Sequence, residues 1–397
     1  MKKTFTSALI TGTLASSLIL GGVDATKYEG EVMADKALTV ATENIVVSQK
    51  DNVVEATMPW KGERGLTLKY DLKEPTLLEK LTDKRDEEVI TEKIIHGTST
   101  EAFKIDILLK AKPDTNRFCL TVGGYEYYDF FHQPALTEQE IADGYVRPDD
   151  VVGSYAVYHK TLSHHKTGGT NYGTGKMTHI YYPYIWEVGK EDQKIRAEDF
   201  TYNEGQLCVI APQDFLDNAD YTNGVRIDPT LGVTDRGAST AAQPGQDFYA
   251  ATVTATEDGE VTSTWVWAQD GAPDSVKGVL VLQSSEAIVT NGVGTGAAVQ
   301  TTSPAPVATE SAFGTSPTIS NGVTYYAGEV NSAAIGALYY DAAVDGDGFI
   351  DGSNVYATPT DPTDGATSAN RYSIYLEYTA TGGSPAAVED DEVILIE

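Results

Sequence analysis

An all-β fold, built as two consecutive antiparallel β-sandwich domains of jelly-roll character with little helix, is what the sequence predicts. Three observations lead there. Apolar residues alternate with polar ones at a period of two, as in Leu66, Leu68 and Tyr70 or across 261–268, and that period marks a strand with one buried face. The runs are short and are punctuated by Gly, Pro, Asn and Asp, the residues that turns require. Between them, the stretch 75–93, rich in Leu, Glu and Lys, is the best helix candidate, of one or two turns.

Taken in order, the chain begins with 1–25, which has the parts of a secretory signal. Lys2 and Lys3 precede a short apolar run at 8–20, and Val23-Asp24-Ala25 resembles a cleavage site. The run is too short and too polar to span a membrane. The first β domain is expected over 26–234. Strands are predicted at 38–40, 44–48, 53–72, 103–111, 118–123, 151–159, 177–188 and 207–210. A short helix or turn is expected at 137–144. The aromatic stretch 124–134 is expected to pack Tyr125, Tyr127 and Phe131 on one face. The second domain, 235–380, reads as strands at 248–256, 261–268, 276–283, 322–330, 335–340 and 372–378. Asp258-Gly259 sits between the first two, where a hairpin turn would place it. The segment 381–397 is an acidic linker followed by Val393, Ile394, Leu395 and Ile396. Those four read as the last strand of their own sandwich or as an assembly strand that pairs with a neighbouring sheet edge.

Composition narrows the function. Hydrophobic residues make up 41% of the 397 positions, which fits folded domains rather than disorder. The formal charge of −30 excludes nucleic acid as the natural partner, because a phosphate backbone is bound by Lys and Arg. The acid is uneven: 22 acidic and 3 basic residues follow position 234, against 36 and 25 before it. Cys119 and Cys208 lie in apolar, strand-like contexts, FCL and LCVI. Two cysteines so far apart do not make a disulfide framework, and the expectation is a pair of buried free thiols, pairing being the alternative in an oxidising compartment.

The runs YAVYHKT, NYGTGKMTHIYYP and PQDFLDNADY…VRIDPTLG together resemble a recurrent β module of large phage-encoded and bacterial surface proteins. In those proteins a similar run joins two β domains. The likeness covers about 149–232 and implies a junction near 213–232, with a longer turn at 221–224. The order VTSTWVW, YYAGEV, ALYYD and YSIYLEY looks like the jelly-roll domains of the galactose-binding type. That likeness covers 236–380 and implies fold more than activity.

Candidate chemistry is sparse. His159, His164, His165 and His179 fall close together in sequence, but adjacent histidines on a strand point to opposite faces, and a structural role is expected over zinc. The glycines Gly168, Gly169, Gly173 and Gly175 lack a GK[ST] ending and lead into a strand, so no phosphate cradle is expected. Asp341, Asp345, Asp347 and Asp351 read as a loose calcium site or as an acidic β-turn. In the EF-hand register, positions one and twelve would be Ala343 and Asn354, which lack the required carboxylates. Ser154, Ser163 and Ser275 have no nucleophile-elbow context. Tyr325, Tyr339 and Tyr375 are the candidates for stacking on glycans or for subunit contacts. Together these features lead to an expectation of a non-enzymatic, extracellular or cell-surface structural or adhesion protein. Its expected partners are copies of itself or other surface proteins. A phage virion protein, a tail fibre or decoration, and a carbohydrate-binding protein are the alternatives.

Overall fold

A computed structural model describes residues 38–41, 45–50, 52–73, 85–96, 100–163, 173–233, 236–270, 274–299 and 308–381. The expected signal segment, His164, His165, Gly168, Gly169 and the apolar segment 393–396 lie outside them. The fold is all-β, in four antiparallel sheets. Strands up to Val233 form the first two sheets and strands from Ser239 onward form the other two.

The first sheet runs Leu38–Ala41, Val46–Lys50, Val53–Trp60, Glu63–Asp71, Arg117–Gly123, Gln206–Ile210, Asp199–Asn203. The alternation seen in the sequence becomes a buried face of Val54, Ala56, Met58 and Trp60 opposite Leu66, Leu68 and Tyr70. The second sheet runs Ile195–Arg196, Tyr184–Glu187, Val225–Asp228, Thr100–Leu109, Thr230–Val233, Lys176–Ile180, Tyr155–His159, Tyr128–His132, with Glu87–His96 also paired to Thr100–Leu109. Its inner face supplies Phe103, Ile105, Ile107, Val157 and Ile227 to one continuous core shared with the first sheet.

Several expectations need correction. The helix foreseen over 75–93 gives way to a strand where it is described: Glu87–His96 pairs along its whole length with Thr100–Leu109. Val89, Ile90 and Thr91 are β-branched, and Val89 packs into the core. The stretch 213–232 is built into the first module and leads to the change of sheets between Val233 and Ser239, where the boundary at 234 was expected. Gln213–Asn218 is a short helix with Leu216 buried. Val225–Asp228 and Thr230–Val233 then lie end to end along Thr100–Leu109. Pro229 separates the two strands because it has no N–H to give the ladder. Pro183 likewise lies in the break between Lys176–Ile180 and Tyr184–Glu187, where one longer strand was expected. In the aromatic stretch, Tyr125–Tyr127 is a single 3-10 turn with Tyr125 exposed, and Tyr128 is the buried ring. Phe130 stacks on Tyr202 at 3.8 Å. The short helix expected over 137–144 is present as Glu138–Ala142 and opens with a capping box between Thr137 and Glu140.

The second module stacks a seven-stranded sheet on a six-stranded one. In the first, Gly259–Gln269 is central and pairs with Ile335–Ala342, Ala308–Ala312, Thr318–Ile319 and Ile374–Ala380. Ser239–Gln243 and Asn370–Tyr372 pair with Ile335–Ala342. The other sheet runs Ala287–Ala298, Ser275–Leu282, Thr324–Asn331, Phe248–Thr254, Gly348–Asp351, Ala366–Ser368. The Asp258-Gly259 turn is not a hairpin turn. Phe248–Thr254 and Gly259–Gln269 belong to different sheets, so the turn carries the chain across the sandwich. Phe248, Val279, Val281, Tyr326 and Phe349 form a further apolar cluster, with Tyr356 packed against it.

Candidate functional site: a buried polar seam

The two modules meet through side chains that neither could bury alone. Tyr155–His159 and Lys176–Ile180 are buried on both faces. Tyr155 and Val157 face the first module's core. Tyr158 and Lys176 face the second module.

Lys176 and Asp341 form an ion pair with both side chains fully excluded from solvent, Nζ to Oδ2 at 2.5 Å. Lys176 also donates to the Arg236 carbonyl at 2.9 Å, and its Nζ lies 3.4 Å from His179 Nδ1. The Tyr158 hydroxyl donates to Asp341 Oδ2 at 2.7 Å, and the Ala238 N–H donates to Oδ1 at 2.9 Å. The Arg371 guanidinium covers the Tyr158 ring at 4.5 Å. Burial pushes the Asp341 carboxyl up, but the Lys176 ammonium and the donated hydrogen bonds outweigh it and hold the group below the usual carboxylate range. Burial, followed by the Asp341 charge, keeps the Tyr158 phenol protonated.

Around this centre the seam is closed by hydrogen bonds. Gln133 makes a paired contact with the Ala342 backbone, donating to its carbonyl at 2.9 Å and accepting from its N–H at 2.8 Å. Arg147 donates to Ser239 Oγ and to the Tyr340 hydroxyl, at 3.0 and 3.3 Å. Val146 and Thr240 exchange backbone hydrogen bonds at 2.7 and 2.9 Å. The chain crosses at Gly237, whose N–H donates to Ser373 Oγ at 2.6 Å. A Cβ there would lie 2.2 Å from the Tyr340 backbone, so only glycine fits.

Ser154, His179 and Asp341 form a line that resembles a nucleophilic triad, with Ser154 Oγ 2.7 Å from His179 Nε2. The chemistry does not follow. His179 Nδ1 is 3.7 Å from Asp341 Oδ1, beyond hydrogen-bond reach, and closer to the Lys176 ammonium. An ammonium offers only donors, so Nδ1 accepts and the ring proton sits on Nε2, donating to Ser154 Oγ. That tautomer cannot take a proton from Ser154, and all three side chains are buried.

The other sequence-predicted residues are dispersed. Asp341 is withdrawn from the acidic loop by Lys176, which corrects the proposed calcium set. Asp345 is exposed, Asp347 is half-buried, and Asp351 accepts from Ser353. Among the described residues no group of three His, Cys, Asp or Glu is placed to hold a metal ion. Tyr325, Tyr339 and Tyr375 are all buried rather than presented outward. Tyr325 packs between the sheets, Tyr339 lies beneath the Arg236 guanidinium, and Tyr375 stacks parallel to Trp265. His159 also has a structural place: its Nδ1 accepts from the Thr161 and Leu162 N–H groups, and its ring packs on Trp60 and Tyr128.

Cys119 and Cys208 are joined, not free thiols. They lie directly opposite one another on Arg117–Gly123 and Gln206–Ile210, a juxtaposition that their separation of 89 residues conceals.

Comparison with protein-family models, with curated proteins and with solved structures finds no significant match to this chain.

Proposed function

We propose that this chain is a non-enzymatic structural subunit of a surface assembly, exported from the cell, in which two β-sandwiches act as one rigid block. The observation that carries the reading is the seam. A fully buried Lys176–Asp341 pair, satisfied by Tyr158, Ala238 and Arg236, fixes the relative position of the modules. A buried ion pair is weak evidence for stability but is suited to specifying one arrangement. Ligand-closing proteins need hinged modules, whereas a building block needs modules that hold their angle under load.

The cross-strand disulfide supports export, since such bonds persist in oxidising compartments. The strongly acidic second module supports a soluble exterior that avoids nucleic acid. The run Val393-Ile394-Leu395-Ile396 has the apolar composition that addition to a neighbour's sheet edge calls for.

The test is N-terminal sequencing and intact mass of the protein from its native source, with electron microscopy of the same sample. The expected result is a chain beginning near Thr26 within filaments or a surface layer. A chain beginning at Met1 within phage particles would replace this reading with the virion one, which the likeness over 149–232 favours. A monomer that neither assembles nor adheres would remove both.

A further inference from the structure

We propose that Lys176 and Asp341 become joined by an amide bond, so that the two modules are covalently linked across the seam. The geometry around the pair supplies each part that the condensation needs. The nucleophile and the electrophile are in hydrogen-bond contact, Nζ to Oδ2 at 2.5 Å, and both are sealed from solvent. Holding two reactants in this way replaces a bimolecular encounter, which otherwise makes uncatalysed amide formation between side chains negligible. A base stands beside the amine: His179 Nδ1, 3.4 Å from Nζ, carries a lone pair because its proton is on Nε2, facing Ser154. Donors stand on both carboxyl oxygens, the Ala238 N–H on Oδ1 and the Tyr158 hydroxyl on Oδ2. Fixed donors of this kind stabilise the negative oxygen of a tetrahedral intermediate.

The step balances without any other reagent. The ammonium passes one proton to the carboxylate across their shared hydrogen bond, giving amine and carboxylic acid. The Nζ lone pair attacks Cγ, and Oδ1 takes up the negative charge against the Ala238 N–H. His179 Nδ1 accepts the second amine proton and returns it to the hydroxyl formed at Oδ2. The Cγ–Oδ2 bond breaks, and one water leaves. The products are a secondary amide, neutral His179 and water, with no change of oxidation state. The desolvated environment favours this outcome, because it replaces two buried charges with one neutral group.

This inference stands on the geometry of the pair and does not require the protein to be an exported subunit. The full chain, expressed recombinantly and purified folded, is weighed by intact-mass spectrometry. The expected mass is lower than that of the sequence with its disulfide by one water. Proteolysis after reduction should then release a branched peptide in which Lys176 and Asp341 are linked. In Lys176→Arg, which keeps the positive charge, the missing water should return, and in His179→Gln the linked fraction should fall while the fold is retained by circular dichroism. A wild-type mass equal to the sequence less only the disulfide hydrogens overturns the proposal. So does a lost water that maps to another pair of residues.

Discussion

Glu329 is fully buried in the second module, accepting from Gln243 Nε2 at 2.8 Å. Burial, opposed by the hydrogen bond from Gln243 and aided by the charge of Asp247, pushes its carboxyl up to about 8. A carboxyl whose folded value lies above its unfolded one contributes stability that is present in full below the unfolded value and is lost as pH rises through the folded value. Between pH 6 and pH 8 this one group should cost the fold about 2 kcal/mol. Asp106 in the first module is pushed the same way by burial and by Asp228, against Lys104 and Arg226, and adds to the trend. Thermal unfolding followed across that range should therefore show the protein losing stability towards pH 8. Glu329→Gln, which keeps the hydrogen-bonding shape without the charge, should be more stable than wild type at pH 8 and should show a shallower slope. A variant no more stable than wild type at pH 8 would refute the assignment. Nothing in the sequence around Glu329 distinguishes it from the many surface carboxylates. The alternation of 322–330 was legible, but it puts Glu329 on the same face as Tyr325 and Ala327, and the groups that meet it there, Gln243 among them, come from distant strands. The same reason hid the seam: Lys176 and Asp341 are 165 residues apart, and no spacing rule connects them.

At the scale of elements, period-two alternation located strands such as Glu63–Asp71 and Gly259–Gln269, but it passed over Ser239–Gln243, Ala287–Ala298 and Ala308–Ala312, whose small Ala, Gly, Ser and Thr residues blur the contrast between faces. It failed for Glu87–His96, where a Glu- and Lys-rich composition imitated a helix while β-branched residues committed the backbone to a ten-residue ladder. It also failed to say which strands pair: Asp258-Gly259 has hairpin chemistry, yet its flanking strands enter opposite sheets. Turn residues fix where a chain reverses, not which sheet receives it. Pairing also explains the cysteines, which become opposite neighbours only when Gln206–Ile210 docks on Arg117–Gly123. Closing a loop of 89 residues should stabilise the first module by about 2–4 kcal/mol. Replacing both cysteines with serine should lower the denaturant midpoint and steepen the transition, because the unlinked unfolded chain exposes more surface. An unaltered midpoint would show that the strand pair holds without the link.

At the scale of the molecule, the buried contacts of the seam should make the two sandwiches one unfolding unit. Gln133 tests this away from the charged centre, because it alone satisfies both the N–H and the carbonyl of Ala342. Gln133→Ala removes the partner of two part-buried backbone groups, at a cost of about 1–2 kcal/mol. Calorimetry on the wild type should show one transition, and the variant should melt earlier, with its modules separating into two steps. A single unchanged transition in the variant would mean that the contact carries no coupling. The all-β class and the strand-rich halves were legible in the sequence because each depends on local patterning. The interlocking of the halves was not, because it is made of single polar residues contributed by distant strands.

Lys176 emerges from the ribosome long before Asp341 does. The first sandwich is complete only once Thr230–Val233 has been made, and at about 5–20 residues per second the stretch from there to Asp341 takes roughly five to twenty seconds, during which the ammonium still faces water. During that interval its uncovered flank, with Tyr158 and His179 exposed beside Lys176, is a ready surface on which the second sandwich can assemble in place. A chain cut short before Ile335–Ala342 would keep that flank open permanently, and would be the form that proofreading by chaperones and proteases has to recognise.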